Sequence, residues 1–544
     1  MAPYVYEPLT KPTRRDHAFR LLDILPCSAK DEPINVRLRH VRLEDKPQYE
    51  CLSYCWGDMA QTHEVNIVSE NDNDEQVGSI KVRESLHGAL ARLRDNTKTR
   101  TIWADALCIN QQDTDERSSQ VSIMALVYWN SHKLAIWLGP DPDKQATAAF
   151  EALKPISQAT WGKTLKLTNE DVDKFDPVVW AGVGRLYDNP WFRRAWVQQE
   201  IGLSRSAAFY WGEAEPYGIH DLFGFDICAD SQEGGKKAKQ IYIRDATAVK
   251  STRNIWLEYG QATQPGWKKG DEFHKFIKST NFLNLLSKTF YCEATDPRDR
   301  IYAFLGHPSA RKQDAYSDVE SEDYMVTCGG NAAYAPMIIP DYSKTTEEVF
   351  LEVARKLFWQ HKDLRPLGAV CHTEESLASG MPSWVPLWDN ASPWFIPIGA
   401  WVSQWKDRAS LQSTEQVRIG HRELLVDGAV VATTTQCREW TDALVQETAQ
   451  KIVPKGGWSK FGYRSRRLMC HTHDGLECLV PDVTKPGDKI AILVGGYSPF
   501  VIRHVSESAY KIIGACIVCG WKDNELSRIA ERSPNTCSIE AIYF

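Results

Sequence analysis

Between residues 49 and 138 apolar runs alternate with amphipathic stretches at a spacing that few folds accept. Residues 49–56 and 64–68 read as strands, and the acidic, Asn-rich stretch 69–79 reads as a hairpin-like loop before a further strand at 80–82. Leu86, Ala89, Leu90 and Leu93 then recur at helical spacing, with Ser85 as a candidate N-cap. A short strand at 101–104 ends on Asp105. A second helix starts near Asp113, with Glu116 as its capping-box partner and Val121, Met124, Ala125 and Tyr128 as its apolar stripe. A strand at 134–138 stops at Gly139-Pro140. Strand, helix, strand, helix, strand at this spacing predicts a parallel sheet with flanking helices, and catalytic groups in such sheets gather at the strands' carboxyl ends.

Beyond this block, 176–203 reads as helix broken at Asn189-Pro190, and 205–308 as mixed and mostly helical. Residues 312–336 read as a flexible insertion, and 345–360 as an amphipathic helix carrying Val349, Val353 and Leu357. After about residue 400 apolar alternation between glycine turns predicts β structure at 423–431, 489–494, 500–503 and 510–518. The expected division is therefore an α/β domain over 1–204, a mostly helical middle region over 205–400 and a β-rich domain over 401–544.

No apolar run is long enough to span a bilayer, and the first residues lack the basic and apolar segments of a signal peptide. The expectation is a cytoplasmic protein whose 14 cysteines are reduced thiols, many of them small hydrophobes within strands. A net charge of −7 argues against a dominant nucleic-acid surface.

Three blocks join apolar runs to polar clusters: 49–58, 102–111 and 191–200. In a helix starting near Trp191, Phe192, Trp196 and Glu200 would share one face. Burial there would raise the Glu200 pKa, with Arg193 or Arg194 opposing, whereas on an ordinary amphipathic helix Glu200 is only a boundary residue. Asp105 could bind ribose hydroxyls, orient an arginine or cap the next segment. Asn110 and Gln111 are either substrate ligands or loop residues. Tyr54 and Trp56 alternate with Cys55 and so point to one side of their strand, as a stacking shelf beside Gly57 or as core. Gly162-Lys163-Thr164 is no phosphate loop, because Ser157 stands where its first glycine is required. Cys470, His471, His473 and Cys478, with Cys516 and Cys519, match no standard zinc spacing and read as buried thiols and surface imidazoles.

Leu52-Ser53-Tyr54-x-Trp56-Gly57, Asp105-Ala-Leu-Cys108-Ile-Asn110-Gln111 and Arg194-x-Trp196-x-x-Gln199-Glu200 together resemble the fungal heterokaryon-incompatibility (HET) domain, with a core over 49–202. Segments 295–306, 340–343, 382–386, 487–488, 495–496 and 499–503 are similar to stretches that follow such domains. The resemblance implies a TIR-like, flavodoxin-like parallel sheet and a role in non-self recognition and cell-death signalling. Through the TIR likeness it implies NAD as substrate, with no cofactor and no metal. Glu200 and Asp105 would be the catalytic groups; Ser53, Tyr54, Trp56, Gly57, Asp58, Cys108, Asn110, Gln111, Arg194 and Trp196 would bind substrate. The alternatives are a non-enzymatic module that binds a protein partner or self-associates, and a biosynthetic enzyme using the same cleft on a small metabolite.

Overall fold

The computed structural model describes the chain except for residues 1, 11–16, 30–31, 59, 70–74, 163–167, 175, 232, 244, 264–281, 311–335, 362–363, 390–417, 440–466, 497 and 520–539. The expected insertion at 312–336 lies almost wholly outside the described residues. The chain forms two compact units, Met1–Thr280 with Tyr291–Ser343, and Asn281–Phe290 with Lys344–Phe544.

The described strands of the first unit are β1 (Ala18–Ile24), β2 (Asn35–Arg42), β3 (Glu50–Tyr54), β4 (Thr62–Val68), β5 (Gln76–Arg83), β6 (Arg100–Trp103), β7 (Lys133–Trp137), β8 (Ala207–Tyr210) and β9 (Tyr217–Gly218). They form one sheet in the order β5-β4-β2-β1-β6-β3-β7-β8-β9. Strands β6, β3, β7 and β8 are parallel neighbours. Of the remaining pairings β2–β4 is also parallel and the others are antiparallel, so the sheet is mixed and the expectation of a flavodoxin-like parallel sheet is corrected. The reason is a hairpin the sequence reading passed over. β1 and β2 pair antiparallel, and β1 also pairs antiparallel with β6. They stand between the parallel block and the β4–β5 hairpin, whose short connection permits only antiparallel pairing.

Helix α1 (Glu84–Leu93) buries Leu86, Ala89, Leu90 and Leu93 as its periodicity predicts, but Arg83 holds the N-cap position and Ser85 lies inside the first turn. The short α2 (Asp105–Cys108) follows β6 directly. In α3 (Thr114–Asn130) the Asp113 side chain caps the Glu116 N–H, whereas the Glu116 carboxylate turns instead to Arg20 and the Asn110 N–H, so no reciprocal box forms. Residues 123–128 of α3 are buried on all sides rather than along a single stripe.

Around Asn189-Pro190 the chain makes a 3-10 turn, Pro190–Arg193, and Arg194 is extended (φ −68, ψ 132). Helix α4 therefore begins at Ala195 and runs to Leu203. Trp196 and Glu200 share it; Phe192 does not, which corrects the helix start expected near Trp191. Gly202 lets helix α5 (Thr247–Thr263) approach, since a Cβ at Gly202 would stand 2.2 Å from the Tyr259 ring. With Ile219–Ser231 and Glu233–Tyr242, α5 makes the middle of the chain helical.

The second unit contains the helix Thr346–His361, with Val349, Val353 and Leu357 buried, and a β-rich body. Its long strand Leu424–Glu439 pairs with Lys489–Leu493 on one side and Glu540–Tyr543 on the other. Lys489–Leu493 pairs with Phe500–Ser506, which pairs with Ala509–Ala515. Ala509 meets Tyr543, closing these five strands into a barrel. Register shifts at Val430/Ala432 and Thr434/Gln436 bend the long strand away so that its end pairs with Arg467–Thr472.

That pairing overturns the expectation of a reduced thiol at Cys470. Cys437 lies directly opposite it, with a Cα–Cα distance of 4.0 Å, and the two form a disulfide. Cys478 faces Cys470 from the other side and is a free, buried thiol. Among the described residues no three His, Cys, Asp or Glu side chains gather as a metal site requires, and no helix is long and apolar enough to cross a membrane.

Candidate active site

The carboxyl ends of β3 and β6 and the start of α4 meet in the first unit. Ser53 and Tyr54 end β3, Asp105 follows β6, and Glu200 projects from α4. Ser53 Oγ donates to Glu200 Oε2 and accepts from Trp191 Nε1 at 2.7 Å. Tyr128, on α3, also lies close to the Glu200 carboxyl and favours its charge. Ser53 is 1% exposed and Glu200 3%. Burial pushes the Glu200 carboxyl up to about 7; Arg194 and the Ser53 hydrogen bond pull it back, while Asp105 adds to the rise.

Asp105 occupies a second, half-buried part of the cluster. Its Oδ1 accepts from Tyr54 OH at 3.1 Å and from the Ala106 N–H at 2.8 Å, and its Oδ2 accepts from Trp56 Nε1 at 3.0 Å. Tyr54 and Trp56 thus do point to one side, and both are held by one carboxylate. Burial drives the Tyr54 phenol well above its usual range, and Asp105 adds to this. Trp56 also carries the Arg83 guanidinium 5.0 Å from its ring centroid.

Arg194 joins the two parts. Its guanidinium donates to the Tyr54 carbonyl. Burial works against its charge, but Glu200 and then Asp105 more than offset this and keep it protonated. The arrangement is one buried acid near neutrality, one ionisable group in an aromatic clasp and one fixed cation. It can hold a developing positive charge beside Glu200.

Other candidates fall outside this group. Cys108 is wholly buried; burial pushes its thiol up to about 12, and its carbonyl accepts from Arg20 at 3.1 Å. Asn110 Oδ1 caps the Gln112 N–H and Gln111 Nε2 donates to the Asp105 carbonyl, so both shape the loop after α2. Gly57 has a φ of 71°, a left-handed turn that suits glycine, and its carbonyl accepts from Arg83. Asp58 is exposed and accepts from the Ala60 N–H. Trp196 is half-buried beside the Asp299 carboxyl. Sequence reasoning missed Tyr128 and Trp191 as partners of this site. In the sequence Tyr128 reads as part of an apolar helix stripe, and Trp191 only as the start of a helix.

Comparison with known proteins falls on the same residues. The family described as Heterokaryon incompatibility protein (HET) matches residues 49–200. The chain is similar to "Heterokaryon incompatibility protein 6, OR allele" of Neurospora crassa, with 28% identity over 223 residues, which cover 36% of this chain and 33% of that protein. The match therefore spans about a third of the relative's length. No solved structure matches.

Proposed function

We propose that this HET-domain protein acts in fungal non-self recognition and cleaves the nicotinamide–ribose bond of NAD at Glu200. The observation that supports this reading is the buried Glu200 carboxyl, raised to about 7 among Ser53, Tyr128 and Arg194. As the C–N bond breaks, its electron pair leaves with nicotinamide and positive charge develops on the ribose. An ionised Glu200 would stabilise that charge, and water would then add to the sugar and release a proton. Asp105, held between Tyr54 and Trp56, would bind ribose hydroxyls, with the aromatic rings beside it.

The second reading is a non-enzymatic interaction module. One observation favours it: Glu200 is 3% exposed and already bonded by Ser53, with Tyr128 close by, as an acid serving only the fold would be. Nicotinamide release by the full chain, wild type beside Glu200→Gln, separates the two. Release by wild type that is lost in the variant, and that rises as pH passes through about 7, is the expected result. Absence of release at any pH between 5 and 9 would sink the enzymatic reading.

A further inference from the structure

Helix α4 is held from outside the family-matched residues. Glu293 lies beside Arg194 in a parallel bridge: the Ala195 N–H donates to its carbonyl at 2.9 Å, and its N–H donates to the Arg193 carbonyl at 2.5 Å. The next residue, Trp196, lies beside the Asp299 carboxyl and favours its charge, and that carboxyl accepts from Tyr342 OH at 2.5 Å. One turn further, Gln199 Oε1 accepts from the Gly306 N–H at 2.8 Å. Gly306 sits where α3 and α4 converge: a Cβ there would stand 2.5 Å from Gln199 Oε1 and 3.1 Å from Ala125 Cβ. The start of α4 and the turn after it are thus held by residues 293–306, and Glu200 is the next residue after Gln199.

We infer that residues 293–306 are a working part of the Glu200 site, with Asp299 and Gly306 as positioning residues that hold α4, so that the functional unit extends well past the HET segment. The inference deepens the proposed reaction and rests on it only for the consequence that turnover needs this clamp; the clamp itself can be tested without NAD.

The test is the infrared carboxyl band of Glu200 in the full chain, identified by its loss in Glu200→Gln and followed against pH. Glu200 faces Arg194, Asp105, Ser53, Tyr128, Tyr54, Cys51 and Cys55, none of which is changed in the variants. Gly306→Ala pushes Gln199 away, and Asp299→Asn removes the charge that faces Trp196 and accepts from Tyr342 OH. Either change loosens α4 and admits water, so the midpoint should fall by about one pH unit towards the ordinary carboxylate range. Should Gly306→Ala fail to fold, the isosteric Asp299→Asn decides. Folded variants that titrate at the wild-type midpoint would overturn the inference. A protein that never cleaves NAD still gives this readout, so failure of the reaction and failure of the clamp are separate results.

Discussion

Glu200 is caught between burial, which disfavours its charge, and Arg194 with Ser53, which favour it. The balance has a consequence for stability. Its folded-state value of about 7 lies above the ordinary 4.5. Between those two pH values the unfolded chain has released the proton and the folded chain still holds it, so stability falls as pH rises through the window and levels off above it. Glu200→Gln removes this dependence. Relative to wild type the variant should gain stability progressively across that window, by up to about 3 kcal/mol. Urea unfolding at a series of pH values checks this, and a wild-type-to-variant difference independent of pH would show that burial does not govern the group. Ser53→Ala makes a complementary change: Trp191 Nε1 loses its acceptor and Glu200 a donor. The expected cost is about 1–3 kcal/mol, with the turnover profile moved to higher pH. A profile moved to lower pH would mean that Ser53 does not stabilise the charged form.

The parallel strands β3, β6 and β7 and helix α1 were legible because apolar positions recur with the right period in short, cleanly bounded stretches. The β1–β2 hairpin was not, because buried charges interrupt its pattern. Arg20, 0% exposed, and Asp23, 5% exposed, lie within β1. Arg20 pairs with Glu116 on α3 at 2.6 Å, and Asp23 pairs with Arg39 on β2 at 2.6 Å. Nothing local in the sequence announces a partner nearly a hundred residues away. The site was legible to a similar degree. Tyr54, Trp56, Asp105 and Glu200 stand out within their own blocks, whereas Trp191 as the donor to Ser53 depends on tertiary geometry. The Arg20–Glu116 pair ties β1 to α3, and its loss belongs to that scale. Arg20→Met leaves Glu116 buried without its cation, at an expected cost of about 3–5 kcal/mol. The double variant Arg20→Met/Glu116→Gln should recover part of that loss. Thermal melts of wild type, Arg20→Met, Glu116→Gln and the double variant form the double-mutant cycle, and additive losses would mean that the pair does not couple these elements.

At the scale of the whole molecule, each compact unit carries its own core and its own kind of reinforcement. The first is laced by buried ion pairs such as Arg20–Glu116 and Arg253–Asp226, the latter at 2.5 Å. The second is a barrel whose long strand is joined to its neighbour by the Cys437–Cys470 disulfide, across a sequence separation of 33 residues. Closing a loop of that length removes freedom from the unfolded chain worth about 4 kcal/mol. Dithiothreitol should therefore weaken the second unit and leave the first as it was, because Cys27, Cys51, Cys55, Cys108 and Cys292 of the first unit are free thiols. Hydrogen exchange followed by mass spectrometry reads both at once. Peptides from Leu424–Glu439 and Arg467–Thr472 should lose protection on reduction, while those from Ala18–Ile24 and Ala195–Leu203 keep it. Equal protection of the barrel strands with and without reductant would show that Cys437 and Cys470 are thiols in the folded protein, held opposite each other by register alone. That outcome would return the chain to the all-thiol chemistry its sequence suggests.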